Sequence, residues 1–437
     1  MTQAVRCAVH LMAVFLVSAL VLSFSGCELW QPEVPSDTTI AQSDLPRDTD
    51  PDVKSEDVEE LVAGNSAFAF DLLHEISEGN ANLFFSPYGI SSALAMAVAG
   101  ASGTTEEQMA DALHFTLDSS VLHPCFNWLD LELKGRSEIG PPYEGEGFQL
   151  SVVNAVWGQQ GYPFLDPYLD LLAVNYSAGL RLLDFLNNPH GSRLTINDWV
   201  SDRTNARIQD LLPAGSISSD TRLVLTNAIY FLAPWLVPFE EELTANAPFT
   251  LLTGDVVSVP MMHLDEPASL KYAEWEGGVA VELSYNGGEL SMVAFIPDAS
   301  QFEAFEQSLT VEHYEAIVST LESRRVDLGF PKFELTYDVS LVEPLTTLGM
   351  GDAFLPGIAD FSGVDGSRNL FISDVLHKAF VSVDEAGTEA AAATAVIFEF
   401  TAIPGPPVTL TVDQPFLFVI RDVPTGTILF IGRVVAP

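Results

Sequence analysis

Hydrophobic residues in the first part of the chain recur at the spacing of amphipathic helices. Residues 57–76 carry apolar side chains at helical intervals, at Val58, Leu61, Val62, Phe68, Leu72 and Leu73. The run 90–99 has a similar spacing and stops before Gly100. Thr105 and the two acidic residues after it begin a third segment that reaches Leu113. The pattern predicts three successive helices, the third with an acidic first turn that suits the helix dipole.

Later segments have the composition and the alternation of strands. Apolar and β-branched runs lie at 223–231, 290–296, 326–335, 415–420 and 428–435. The last two flank residues 422–426, whose turn chemistry predicts a hairpin. Helices followed by strands favour an α+β fold with large antiparallel sheets.

Residues 28–57 differ in composition from the rest of the chain. They are rich in Pro, Asp, Ser and Thr, which predicts an extended, solvated acidic linker. No comparable linker and no internal repeat follows. We therefore expect one large domain at 58–437.

Residues 1–27 have the pattern of a secretory signal peptide. Arg6 precedes an apolar run at 8–24, which is shorter than the roughly 20 residues of a membrane-spanning helix. The ending SFSGC resembles a bacterial lipobox, in which Cys27 would become the lipidated first residue. The protein would then be held at the cell envelope through acyl chains. Cleavage nearby without lipidation, giving a secreted protein, is the alternative.

Composition narrows the classes of partner. The chain has 60 acidic and 18 basic residues, a net charge of −42, so it would repel nucleic acid and anionic lipid. Hydrophobic residues make up 48%, enough for a large core. The cysteines are Cys7, Cys27 and Cys125, too few for a disulfide framework, and Cys125 is expected to be a structural thiol.

Motifs for catalysis and metal binding are missing from the sequence. It contains no HExxH pair, no GxSxG elbow and no P-loop, and its histidines do not fall at metal-ligand spacing. We therefore predict no catalytic residue, metal or cofactor. A hydrolase with a concealed carboxylate or serine site is an alternative that no motif supports.

Eight sequence blocks, in order and over the whole domain, resemble the serpin family of protease inhibitors. They lie at 82–109 (NLFFSPYGISSALAMAVAGASGTTEEQM), 196–213, 223–235, 283–297, 328–335, 359–364, 372–395 and 413–437 (DQPFLFVIRDVPTGTILFIGRVVAP). The resemblance implies three β-sheets, about nine helices and an exposed reactive loop at about 385–412. It also implies a monomer that is not an enzyme but a suicide substrate. A serine or cysteine protease attacks the loop and forms an acyl-enzyme, and the cut loop then inserts into the main sheet.

The segment after Asp384 has the composition that such an insertion requires. Glu385 matches the family's hinge glutamate, and Gly387 supplies flexibility. Because strand side chains alternate between faces, two sets arise, Thr388, Ala390, Ala392 and Thr394 against Glu389, Ala391 and Ala393. The first set is uncharged and is expected to face the core. An Ala-rich surface helix is one alternative, and a non-inhibitory serpin that serves as a binding or scaffold protein is another.

The reactive bond follows from the family's hinge-to-bond distance. That distance places it at Thr401–Ala402, with Phe400–Thr401 as a neighbouring option. Counting back from Pro415 indicates a later bond, near Pro404. These residues suit elastase-, subtilisin- or chymotrypsin-like proteases, and no Lys or Arg between 378 and 421 would suit a trypsin-like one.

The resemblance assigns further roles under the main sheet. Ser86, Asn227 and His377 match the polar cluster at the place where the sheet parts, and Trp235 matches the aromatic residue at its top. Ordinary core packing is the alternative for each. Region 113–136 contains only Lys134 and Arg136 as basic residues, so we expect no heparin-type activator.

Overall fold

The computed structural model describes residues 39–77, 79–136, 148–388 and 406–437. Its helices are α1 (Ser55–Ile76), α2 (Pro87–Val98), α3 (Gly103–Ala112), α4 (Ser119–Gly135), α5 (Asp166–Tyr176), α6 (Pro189–Arg203), α7 (Phe302–Ser308), α8 (Val311–Val318), α9 (Val342–Thr347) and α10 (Ser362–Asp365). Two short 3-10 turns lie at Glu241–Leu243 and Gly351–Phe354. The three helices predicted at the start of the domain are confirmed as α1, α2 and α3.

The strands occupy most of the second half of the chain. They are β1 (Thr39–Ala41), β2 (Leu83–Phe85), β3 (Gln149–Gln159), β4 (Leu180–Leu183), β5 (Leu223–Pro234), β6 (Ala245–Thr250), β7 (Val256–His263), β8 (Ala268–Trp275), β9 (Gly278–Ser284), β10 (Leu290–Pro297), β11 (Glu322–Pro331), β12 (Phe333–Ser340), β13 (Ile372–Val383), β14 (Gly387–Thr388), β15 (Val408–Thr411), β16 (Phe416–Asp422) and β17 (Ile428–Val434). β16 and β17 form the predicted hairpin. The α+β class is confirmed.

The described strands form two hydrogen-bonded networks. The seven-stranded sheet has the order β1-β4-β3-β5-β14-β13-β12. The other network has ten strands, which are β2, β6 to β11 and β15 to β17. The family's three sheets appear as two networks because β8 pairs with both β9 and β11, which joins the strands on either side.

Alternation along β5 separates two cores. Leu223, Leu225, Ile229 and Phe231 face the large hydrophobic core shared with α1, α2 and the second sheet. Val224 and Ala228, which lie between them, face a smaller core that α6 completes. The central strand is therefore buried on both faces, which explains its continuous apolar sequence.

Local caps explain where several helices begin. The Ser86 hydroxyl accepts a hydrogen bond from the Gly89 amide at 3.0 Å, and Pro87 occupies the first helical position of α2. Asn188 caps α6 in the same way, at 3.1 Å from the Gly191 amide. Both are the N-cap chemistry expected of short polar side chains before a helical proline.

Part of the predicted linker is attached to the domain. Residues 39–54, here called the N-terminal strap, begin with β1, which pairs antiparallel with β4 at the edge of the seven-stranded sheet. Arg47 then donates to Asn127 at 2.7 Å and to Asp130 at 2.6 Å, and the Asp48 amide donates to Val174 at 2.9 Å. The solvated linker predicted for 28–57 is corrected over this stretch, because backbone pairing and the hydrogen bonds of the partly buried Arg47 hold it in place.

No described helix is long and apolar enough to cross a membrane. Cys125 is buried in α4, and burial raises the pKa of its thiol to about 11. The thiol is therefore protonated and inaccessible.

Candidate functional site

The structure brings the predicted hinge and sheet-opening residues to one face and one end of the seven-stranded sheet. Glu385, Gly387, Thr388 and Trp235 lie at the end of the sheet, and the polar cluster lies beneath its middle. Other predicted residues lie outside the described part of the chain, namely Cys27, Glu389, Ala390, Ala391, Ala392, Ala393, Thr394, Phe400, Thr401 and Ala402.

The hinge is already seated between two strands. β14 pairs with β5 through Gly387–Pro234 and Thr388–Ala233, and with β13 through Thr388–Val383. Farther along, β5 and β13 pair directly, from Leu223 to Tyr230 and from Ile372 to Phe380. The sheet is thus parted at one end only, by a strand of two residues whose last member, Thr388, is fully buried.

A tight turn delivers the hinge to this position. One oxygen of the Asp384 carboxylate accepts hydrogen bonds from the amides of Ala386 and Gly387, at 3.0 and 3.2 Å. Burial raises the pKa of Asp384, although these amides oppose the shift. The backbone amides of Trp235 and Phe239 each donate to the turn at 2.9 Å. The turn is therefore held by both its own carboxylate and the neighbouring chain.

Glu385 anchors the outer side of the turn. Its carboxylate accepts hydrogen bonds from Lys332 at 2.6 Å and from the Thr244 hydroxyl at 2.8 Å. Burial disfavours the charged form, but these two donors outweigh it and lower the pKa of Glu385. The hydrogen bond to Glu385 likewise raises the pKa of Lys332. The ion pair between Glu385 and Lys332 therefore fixes the point at which the chain leaves β13.

Two stacked aromatic rings form the inner wall. Trp235 and Tyr285 stack with ring centroids 4.6 Å apart and an interplanar angle of 10°. The Trp235 indole donates to the Asp384 carbonyl at 3.0 Å, which ties it to the turn. The Tyr285 hydroxyl lies 2.8 Å from the Thr388 hydroxyl, and both side chains are completely buried. Sequence reasoning found Trp235 but missed Tyr285.

The polar cluster beneath the sheet forms a chain of hydrogen bonds. The Ser86 amide donates to Nε2 of His377 at 3.3 Å, so Nδ1 carries the proton and donates to the Asn227 side chain. Asn227 donates in turn to Asn154 on β3, which donates to the Gly89 carbonyl at 3.2 Å. Burial lowers the pKa of His377 to about 3, so the ring is neutral.

This cluster joins α2 to three adjacent strands. Asn227 lies on β5 and His377 on β13, the two strands that pair directly below the hinge. Separating them would break the contact between the two side chains. Asn154 was missed because an isolated asparagine in the run SVVNAVW carries no signal that its partner is 73 residues away.

Comparison with known proteins decides the family. A family model described as "Serpin (serine protease inhibitor)" matches residues 63–437. The chain belongs to the serpin family. A serpin-like protein of Thermococcus kodakarensis is 39% identical over 434 residues, covering 97% of this chain and 98% of that protein. The leukocyte elastase inhibitor of Bos taurus is 40% identical over 389 residues, covering 87% and 100%.

Solved serpin structures share the fold. The thermophilic serpin tengpin in its native state gives a TM-score of 0.77 at 28% identity, covering 91% of this chain and 100% of that one. Uncleaved ovalbumin gives 0.76 at 26% identity, covering 86% and 100%. As a member of the serpin family, this protein is not an enzyme.

The strand that follows the predicted reactive loop in this serpin, β15, also belongs to the described residues. β15 pairs in parallel with β11, from Val408–Val326 to Thr411–Gly329. The segment between the hinge and β15 is therefore joined to a different sheet at each end. Among the described residues, no three His, Cys, Asp or Glu side chains are grouped as a metal site.

Proposed function

We propose that this serpin is a suicide-substrate inhibitor of serine endopeptidases, or of cysteine endopeptidases, that act through an acyl-enzyme. The observation that carries the proposal is the seated hinge, since Thr388 already occupies the gap between β5 and β13. The residues that follow Glu389 are alanines and a threonine, small enough to continue the same strand. Cleavage would release the loop to extend this strand, with added main-chain hydrogen bonds as the driving force.

The reactive bond is proposed at Thr401–Ala402, with Phe400–Thr401 as the neighbouring option. These side chains favour elastase-, subtilisin- or chymotrypsin-like proteases. The similarity to leukocyte elastase inhibitors supports the elastase class.

Covalent trapping gives a direct test. The protein should form an SDS-stable complex with one or more of elastase, subtilisin and chymotrypsin, and mass spectrometry of the released peptide should identify the bond. Thr388→Arg places a charge in a fully buried site and should convert the inhibitor into a substrate. Thr336→Arg, on an exposed position of β12, should remain an inhibitor.

Heat resistance after loop cleavage distinguishes the non-inhibitory alternative. An inhibitor should gain a much higher melting temperature once the loop is nicked and inserted. A serpin that serves as a binding or scaffold protein should gain little. Absence of both covalent complexes and heat resistance would rule out the inhibitory function.

The site of action is proposed to lie outside the cytoplasm of a bacterial cell, with the protein secreted or anchored by lipid at Cys27. The signal-like residues 1–27 support this location. Expression of Cys27→Ser should release an anchored protein into the medium. If wild-type protein is equally free, lipidation is wrong.

A further inference from the structure

The Tyr285 hydroxyl is buried away from solvent, and its hydrogen-bond partner belongs to the hinge. Tyr285 and Thr388 are both 0% exposed, and their hydroxyl oxygens are 2.8 Å apart. Burial raises the pKa of Tyr285 far above its ordinary value, so the phenol remains neutral and can donate. A buried hydroxyl that loses its partner is destabilised, and this holds for both members of the pair.

Tyr285 does not depend on the hinge for its position. It follows β9, and its backbone is fixed by hydrogen bonds with Leu290 and Gly288, each at 2.9 Å. Its ring is stacked on Trp235 and meets Phe231 edge-on, with centroids 5.2 Å apart. The hydroxyl therefore projects from the ten-stranded network to a fixed point at the end of the seven-stranded sheet.

We propose that Tyr285 is a positioning residue for loop insertion, because its hydroxyl holds Thr388 in the gap between β5 and β13. This inference rests on the proposed inhibitory function. With Thr388 held, insertion starts from a strand pairing that already exists. Without the hydrogen bond, Thr388 leaves the gap more often, and the cut loop has to find the gap before deacylation frees the protease.

Four variants isolate the hydrogen bond from packing. Tyr285→Phe removes only the hydroxyl and keeps the ring on Trp235, and Thr388→Val removes the partner hydroxyl at nearly constant volume. Thr388→Ser keeps the hydroxyl and should behave like wild type. Tyr168→Phe is the matched control, since it removes another buried tyrosine hydroxyl, which donates to Met96 at 3.1 Å between α5 and α2.

Hydrogen exchange of the uncleaved protein measures the seating itself. Exchange in the peptide covering 384–388 should become up to about tenfold faster in Tyr285→Phe and in Thr388→Val, as expected for loss of one hydrogen bond. The double variant should be no faster than either single variant, because both lose the same contact. Equal exchange in wild type and Tyr285→Phe, or additive effects in the double variant, would overturn the proposal.

Inhibition kinetics measure the consequence. The number of inhibitor molecules consumed per protease trapped should rise several-fold in Tyr285→Phe. It should stay at the wild-type value in Thr388→Ser and in Tyr168→Phe. An unchanged value in Tyr285→Phe would overturn the positioning role. If wild-type protein traps no protease, the proposed function fails, whereas the exchange experiment still decides whether Tyr285 holds the hinge.

Discussion

His377 must remain neutral for the polar cluster beneath the seven-stranded sheet to keep its hydrogen bonds. Its Nε2 accepts from the Ser86 amide, and protonation would replace that acceptor with a donor facing another donor. A histidine held in this way ties the stability of the protein to pH.

We expect the free energy of unfolding to fall as pH decreases below 6.5. The unfolded chain takes up a proton near 6.5, whereas burial lowers the pKa of His377 to about 3. The folded state therefore loses roughly 1.4 kcal/mol of stability per pH unit between these two values. His123, with its pKa lowered to about 4 by burial, adds to the loss down to that pH. Denaturant unfolding from pH 7 to pH 5.5 should show the slope.

The matching variants are His377→Gln and His190→Gln. The first removes one titrating group from the folded core and should reduce the slope, whatever it does to stability at neutral pH. The second changes an exposed histidine on α6 and should leave the slope as in wild type. A His377→Gln slope equal to that of wild type would show that another group controls the acid sensitivity.

Residues with a family signature were predictable, and their partners were not. Ser86, Asn227, His377 and Trp235 could be placed because they stand inside recognisable blocks of sequence. Asn154 and Tyr285 could not, because each acts through a contact with a residue 73 or 103 positions away. Nothing local in the sequence encodes such a distance.

At the level of elements, the least expected contact is that of the N-terminal strap with β4. Its strand was not predicted because the composition of 39–54 is that of a linker, and only three residues form β1. Its attachment depends on the absence of a side chain at Gly179, which directly precedes β4. A Cβ atom at Gly179 would lie 2.8 Å from Ile40 Cγ2 and from Gln42 Cβ, and 3.0 Å from the Ala41 carbonyl.

Gly179→Ala should therefore loosen the strap. Overpacking against its backbone is expected to cost about 1–3 kcal/mol, and residues 39–48 should exchange amide hydrogens faster. Gly135→Ala is the control, because a Cβ atom there meets nothing within 4 Å and alanine suits the end of α4. Normal exchange at 39–48 in Gly179→Ala would mean that the strap can shift without losing its pairing.

Strand boundaries show a second limit of sequence reasoning. Residues 326–335 are predicted as one strand, yet they belong to two. β11 ends at Pro331 in the ten-stranded network, and β12 begins at Phe333 in the seven-stranded sheet. The apolar positions are even-numbered up to Phe330 and odd-numbered from Phe333, so the alternation shifts by one residue at Pro331–Lys332, where the chain changes sheet. Treating 326–335 as a single strand overlooked this shift.

For the whole molecule, the dominant property is a net charge of −42. Several of the 18 basic residues are already paired with carboxylates, including Arg47 with Asp130, Arg421 with Glu282 and Arg433 with Glu306. The remaining acidic groups repel one another in the compact state. The same field attracts cationic proteases, so their association should be fastest at low ionic strength.

Salt should therefore stabilise the folded protein. Added NaCl screens the repulsion between carboxylates, and the Debye length falls from about 10 Å at 0.1 M to about 3 Å at 1 M. We expect the melting temperature to rise between 0.05 and 1 M NaCl, with most of the increase below about 0.5 M, because screening is then nearly complete. Sucrose at matched osmolality stabilises by exclusion without screening, and its effect should grow steadily instead of levelling off. A melting temperature that does not change with NaCl, or that rises in parallel with sucrose, would show that the surface charges are too far apart or too well hydrated to oppose folding.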